Sequence, residues 1–146
     1  MQITSPAFKI DETLPAKYTC QGEDINPALS WDDLPAGTVS LALIVDDPDA
    51  PAGTWTHWTI WNIDPATNGL KENEVPAGAV EGITSWGNTG WRGPCPPSGT
   101  HRYYFKLYAL DIALSLTSSA TVQDLTSALK GHILAKAELM ATYQKL

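Results

Sequence analysis

An all-β sandwich carrying one C-terminal helix is the fold this sequence predicts, and three observations predict it. Eleven Pro and eleven Gly punctuate the first hundred residues and part of the tail, leaving segments of strand length between turns. Residues 39–46, 54–63 and 101–110 are apolar or aromatic runs of that length. Only the tail carries a helical stripe. With 146 residues, 43% of them apolar and 17% charged, the chain has the size of one domain and enough apolar surface to build a core. Residues 1–146 are therefore expected to form one unit, and disorder is excluded.

Val39 to Asp46 is apolar at nearly every position and ends at a proline-rich turn, the signature of a strand buried on both faces. Thr54 to Ile63 comes next; period two places Trp55, His57, Thr59 and Trp61 on one face and Trp58, Ile60 and Asn62 on the other. His101 to Leu110 alternates in the same way, with His101, Tyr103, Phe105 and Leu107 sharing a face and Arg102 turned away as a structural or salt-bridging residue. In the tail, Thr121 and Asp124 have the spacing of a capping box, and Val122, Leu125, Leu129, Ile133, Ala137 and Met140 form a stripe. A helix is expected over 122–143, with Gly131 inside it permitting close packing and His132 on its surface. No internal repeat, linker or low-complexity segment interrupts the chain.

Nine Lys+Arg against sixteen Asp+Glu give a net charge of −7, the wrong sign for holding a phosphate backbone, which excludes nucleic acid as a partner. The N-terminus lacks a basic-then-apolar leader pattern, and the aliphatic run Leu41–Val45 is far shorter than the ~20 residues of a membrane span, so membrane insertion is not expected and a soluble, cytoplasmic protein is. Cys20 and Cys95 lack the paired spacing of a zinc site and are expected to stay reduced; a disulfide between these two loop residues is the lesser alternative.

Two irregular segments carry the candidate chemistry. The run Asp46-Asp47-Pro48-Asp49-Ala50-Pro51 packs three carboxylates and two prolines into one turn, where Asp47-Pro48 or Ala50-Pro51 could be cis and lock a carboxylate in place; alone it reads as a rigid, solvated turn. The segment Trp86–Tyr103 is rich in Gly and Pro, and such a loop either lets backbone N–H groups nest an anion or is a structural Ω-loop. What raises the case is convergence: both loops abut strands carrying His57 and His101. Asp47 can fix an imidazole tautomer while the other ring nitrogen meets a phosphate or carboxylate oxygen. A metal held by Asp47, Asp49, His57 and His101 lacks any H-x-x-x-H pairing and is not expected. A hydrolase triad through Ser98 lacks the G-x-S-x-G setting, and a Cys95 nucleophile has no evident oxyanion donor. Binding without catalysis and without a cofactor is the expectation.

At these same loops the sequence resembles the phosphatidylethanolamine-binding protein family, also called Raf kinase inhibitor proteins, and in particular its short bacterial and archaeal branch. The resemblance rests on Asp47-Pro48-Asp49-Ala50-Pro51, on Thr56-His57-Trp58, and on Gly93-Pro94-Cys95-Pro96-Pro97 leading to His101-Arg102-Tyr103. Cys20-Gln21-Gly22-Glu23-Asp24, Asn26-Pro27, Leu29-Ser30-Trp31 and Gly131-His132-Ile133-Leu134-Ala135 extend it over essentially the whole chain, while Trp91 and Ala28 depart from the family pattern. It implies a Greek-key β-sandwich with a small pocket for phosphate-like anions. Asp47, Trp55, His57, His101 and Tyr103 would line the pocket, and Asp49, Pro51, Cys95, Pro96 and Pro97 would shape its wall. The expected ligand bears phosphate or carboxylate, free or on a phosphorylated protein. Action as a kinase or protease inhibitor, a weak His-Asp hydrolase, and a homodimer are the further expectations the sequence leaves open. If the histidines are charged when the anion binds, affinity should rise as pH falls.

Overall fold

The computed structural model describes residues 1–146 as two antiparallel sheets face to face. Strands β1 (Gln2–Thr4), β2 (Leu29–Asp32) and β5 (Gly69–Leu70) form the smaller sheet, in the order β1-β2-β5. Strands β3 (Ser40–Asp47), β4 (Trp55–Ile63), β6 (Val80–Glu81), β7 (Thr100–Leu110) and β8 (Ile133–Gln144) form the larger one, ordered β6-β4-β3-β7-β8. The single α-helix, α1, is Val122–Leu129. The all-β, Greek-key sandwich expected from the sequence is the architecture observed.

Strand β3 is central and buried at every position. Leu41, Leu43 and Val45 enter the core between the sheets, together with Trp31, Trp58, Phe105 and Leu139. Ala42 and Ile44 point the other way, where α1 and the preceding segment cover them with Leu114, Leu125 and Leu129. This two-sided burial explains why residues 39–46 show no alternation. Each fully buried side chain of this size contributes about 2 kcal/mol of apolar transfer free energy.

The tail differs from its expectation. Helix α1 opens with the capping box expected at Thr121 and Asp124 but stops at Leu129. Gly131, at φ 80°, makes a turn rather than a helical contact, and a Cβ there would meet nothing within 4 Å. His132 sits in that turn, its Nδ1 2.8 Å from Asp111 Oδ1. From Ile133 the chain is a strand, paired with β7 from Ile133 opposite Leu110 to Gln144 opposite Thr100. Ala, Lys, Glu, Leu and Met are good helix formers, and their intrinsic preference is overridden by this long ladder, with Leu139, Ala141 and Tyr143 turned into the core.

The cysteines also differ. Cys20 and Cys95 form a disulfide with Cα atoms 5.5 Å apart, closing 75 residues of sequence separation, so the reduced state expected of them is not the one observed. No peptide bond is cis; the turn after β3 is held by other means. No helix is long and apolar enough to cross a membrane.

Candidate functional site

A cavity of about 330 Å³ opens where β3, β4 and β7 end, roofed by the loops after β3 and before β7. Asp47, Pro51, Trp55, His57, Cys95, Pro96, Pro97, His101 and Tyr103 line it, joined by Ala50, Ala52 and Trp86. All the expected pocket residues are therefore brought together except Asp49.

Strand geometry delivers the histidines. On β7, alternation sends His101 and Tyr103 inward while Arg102 points out, as period two requires. On β4 simple alternation fails, because Val45 pairs with Trp58 and the next residue, Asp46, pairs with Thr56. His57 is the extra residue of a bulge. That slip puts Trp55 and His57 on the cavity side of the sheet, the side where Trp58 enters the core, and corrects the separation of Trp58 from His57 expected from the sequence. Bulges beside sites commonly re-aim a side chain in this way. A second irregularity at Asn62, whose φ is 56°, lets both Trp61 and Ile63 be buried on opposite faces.

Both imidazoles are almost fully enclosed, with His57 3% and His101 7% exposed. Asp47 Oδ2 lies 2.7 Å from His101 Nδ1, and its Oδ1 accepts the Asp49 amide at 2.8 Å, so one carboxylate holds both the ring and the turn. His57 is held differently from expectation: its Nδ1 lies 2.6 Å from the Arg92 carbonyl, not against Asp47. A carbonyl can only accept, so Nδ1 carries the proton. Burial pushes the His57 pKa below its ordinary value, opposed by the Arg92 carbonyl and the Asp47 charge. Burial first, then the charge of Asp47, pushes the Tyr103 phenol up, keeping it neutral. Tyr103 lies between the two rings, 5.3 Å from His57 and 6.4 Å from His101 between centroids.

Asp49 faces outward. Its carboxylate takes the Arg102 guanidinium through two contacts of 2.8 and 2.9 Å and the Arg102 amide at 2.9 Å. Those hydrogen bonds hold its pKa at about 2. Arg102 thus has the salt-bridging role expected of it, and Asp49 pins the turn to β7 from outside the cavity. With Asp49 so engaged, the four residues weighed as metal ligands do not converge on a point. Ser98 is exposed and does not line the cavity, and Cys95 has no thiol to act as nucleophile.

The loop wall depends on the segment that holds the Cys20–Asp24 motif. The turn at residues 16–24 packs beneath it: Gly93 N donates to Asp24 Oδ1 at 2.7 Å, Cys20 N to the Pro94 carbonyl at 3.2 Å, and Trp91 Nε1 to the Tyr18 carbonyl at 3.2 Å. A Cβ on Gly93 would fall 2.1 Å from the Tyr18 carbonyl oxygen, so only glycine fits this approach. Trp86 is a further lining residue absent from the sequence-based set. It meets Trp55 and His57 edge-on at 5.5 and 4.9 Å, with the Arg92 guanidinium 4.8 Å over its ring. Its place at the head of the Gly-rich loop that leads to Cys95 is the only signal the sequence carries for it.

Comparison with known proteins covers nearly the whole chain. A family profile described as phosphatidylethanolamine-binding protein matches residues 4–144. A UPF0098 protein of Methanothermobacter thermautotrophicus is 49% identical over 99% of both chains, and one of Chlamydia trachomatis is 46% identical over 99% of both. Among solved structures, the phosphatidylethanolamine-binding protein homologue CT736 of Chlamydia trachomatis superposes with a TM-score of 0.96 at 45% identity, covering 99% of this chain and 97% of that one. E. coli YbcL, described as a new member of the mammalian PEBP family, gives 0.93 at 33% identity, covering 99% and 98%. With its fold and nearly its whole length matched, the chain belongs to the phosphatidylethanolamine-binding protein family.

Proposed function

We propose that the chain is a non-enzymatic binding protein whose cavity takes a phosphate-like anion, either a phosphorylated head group or the phosphate of a phosphorylated protein. One observation carries the reading: two enclosed imidazoles have their Nδ1 atoms anchored at 2.6 and 2.7 Å by internal acceptors, which leaves both Nε2 atoms for a ligand in the same small cavity. The family name, which speaks of binding a phospholipid, agrees with it. A catalytic reading is weaker, since the cavity holds a His-Asp pair but no free Ser, Thr or Cys side chain in its lining to attack a substrate.

The backbone contributes less than the Gly-rich loop leads one to expect. Pro51, Pro96 and Pro97 are lining residues without an N–H, so side chains supply most of the recognition. The net charge of −7 opposes anions at long range, which makes for weak affinity toward small free anions. The cytoplasmic location expected from the sequence loses ground to the disulfide, because such bonds persist mainly in oxidising compartments and in intracellular proteins of hyperthermophiles.

Thermal-shift and calorimetric titration with inorganic phosphate, phosphoserine and glycerophosphoethanolamine tests the proposal. Ligands that bind only the folded chain raise its stability by mass action. Saturable binding to the wild type that His101→Ala abolishes is the expected result; equal binding to both, or none to either, refutes it.

A further inference from the structure

Strand β8 ends the larger sheet and β1 the smaller one, and no ladder joins these two edges. The later part of β8 is covered by the chain itself. Asp11 N donates to the Met140 carbonyl at 2.8 Å, Thr142 N to the Glu12 carbonyl at 2.9 Å and Leu14 N to the Thr142 carbonyl at 2.8 Å, so residues 11–14 lie parallel to the edge as an added extended segment. The earlier part has no such cover. In an antiparallel pair a residue sends its N–H and C=O to one side, and successive residues alternate. Thr142 points outward, to residues 11–14, so Met140, Glu138 and Lys136 point outward too. No hydrogen bond within the chain reaches the backbone N–H or C=O of Lys136 or Glu138 on that edge. On β1, Ile3 stands opposite Trp31, whose amide goes to the Asn68 carbonyl on the β5 side, so the polar groups of Ile3 also face the open edge.

Burial marks the same boundary. Leu139, Ala141 and Tyr143 of β8 are buried, whereas Ala135 and Ala137, in the same core-facing row, are only half-buried. Over Ala137 and Leu139 lies a groove of about 630 Å³, walled on the other side by Ile3, Phe8 and Ile10; Ile10 is 60% exposed. Of the charged side chains lining it, Glu138 is paired with Lys136 at 3.0 Å, while no carboxylate lies within ion-pair reach of Lys9. We propose that this groove docks an extended peptide of a partner protein, added as a strand to β8 at residues 136–140, with apolar side chains over Ala135 and Ala137 and an acidic residue against Lys9. Residues 11–14 already use this edge in that way, and the peptide prolongs the line they begin. Period two then sets its pattern, an apolar residue at every second position. The site is independent of the anion cavity, with which it shares no lining residue.

The test selects a display library of random ten-residue peptides against the full-length chain, then titrates the selected peptides while amide hydrogen exchange is followed by NMR. Peptides with alternating apolar residues and an Asp or Glu are expected. Near saturation they should slow exchange at Lys136 and Glu138 about tenfold, and change little at Ala137, whose amide faces the β7 ladder. Glu138→Pro removes an N–H that lies outside that ladder, and Ala137→Phe fills the groove; each should weaken binding about tenfold. The second variant keeps the test decisive if proline disturbs the strand. Lys9→Glu should weaken binding about threefold. Selected peptides that bind any of these variants as tightly as the wild type, or that leave the Lys136 and Glu138 amides unprotected, overturn the proposal, as does a library that yields no binder. Protection of the same amides in the free chain as its concentration rises assigns the edge to a second copy and overturns it as well.

Discussion

The cavity has two walls made by different physics. One is built of strand ends: Asp47, His57, His101 and Tyr103 project from β3, β4 and β7, whose ladders continue into the main core. The other is a proline-rich loop that no ladder supports, fixed to the 16–24 turn by a disulfide, three hydrogen bonds and a glycine contact. The strand wall aims the reactive nitrogens; the loop wall sets how close it comes to them, and its Arg92 carbonyl fixes the tautomer of His57. Orientation of the ligand groups is thus a property of the sheet for His101, and a joint property of sheet and loop for His57.

That contrast can be broken most severely at the disulfide. Replacing both cysteines by alanine frees a loop whose ends lie 75 residues apart, and by chain entropy the cost is about 4 kcal/mol. Equilibrium denaturation in urea should show that loss, and addition of a reductant to the wild type should reproduce most of it. Gly93→Ala comes next. The new Cβ would collide with the Tyr18 carbonyl oxygen, backbone against backbone, and about 2–3 kcal/mol of destabilisation is expected. Anion affinity should fall with it, because the Arg92 carbonyl beside Gly93 moves away from His57. Unchanged affinity in that variant would show that the loop wall does not position the ring.

Asp49→Asn is the mildest change, and it touches only the outside of the strand wall. Asp49 is held below its ordinary pKa, at about 2, chiefly by its hydrogen bonds to Arg102. Its contribution is therefore full above the ordinary carboxylate range and is lost as pH falls toward about 2. A small drop in Tm at pH 7 that vanishes near pH 2 is expected, with anion binding nearly unaffected; surface pairs of this kind are worth little. A large loss of binding would return Asp49 to the pocket, where the sequence places it.

Legibility in the sequence divides along the same line. Period two finds the inward residues of β7, and the all-apolar run finds β3, because those signals are local. The two histidines are legible as convergent and Asp47 as the anchor of His101, yet the anchor of His57 is not, since the bulge at His57 and the Arg92 carbonyl belong to tertiary pairing that no spacing reveals. Strand β8 reads as helix because Val122, Leu125 and Leu129 begin a true helical stripe that Ile133, Ala137 and Met140 continue in number only. Gly131 is the break, and its turn conformation is the physical reason the stripe ends there. The pairing of Cys20 with Cys95 and the seat of Gly93 on Tyr18 depend on two loops meeting across the fold, beyond the reach of composition.

The central claim concerns two nitrogen atoms, and long-range proton–nitrogen correlation spectra of the imidazoles observe them directly. At pH 8, His57 and His101 should both show a protonated Nδ1, and His57 a bare, pyridine-like Nε2. On addition of inorganic phosphate at pH 6 both Nε2 resonances should shift, while exposed His132, outside the cavity, stays unmoved. An Nε2–H tautomer at either residue, or a phosphate response no larger than that of His132, would contradict the claim.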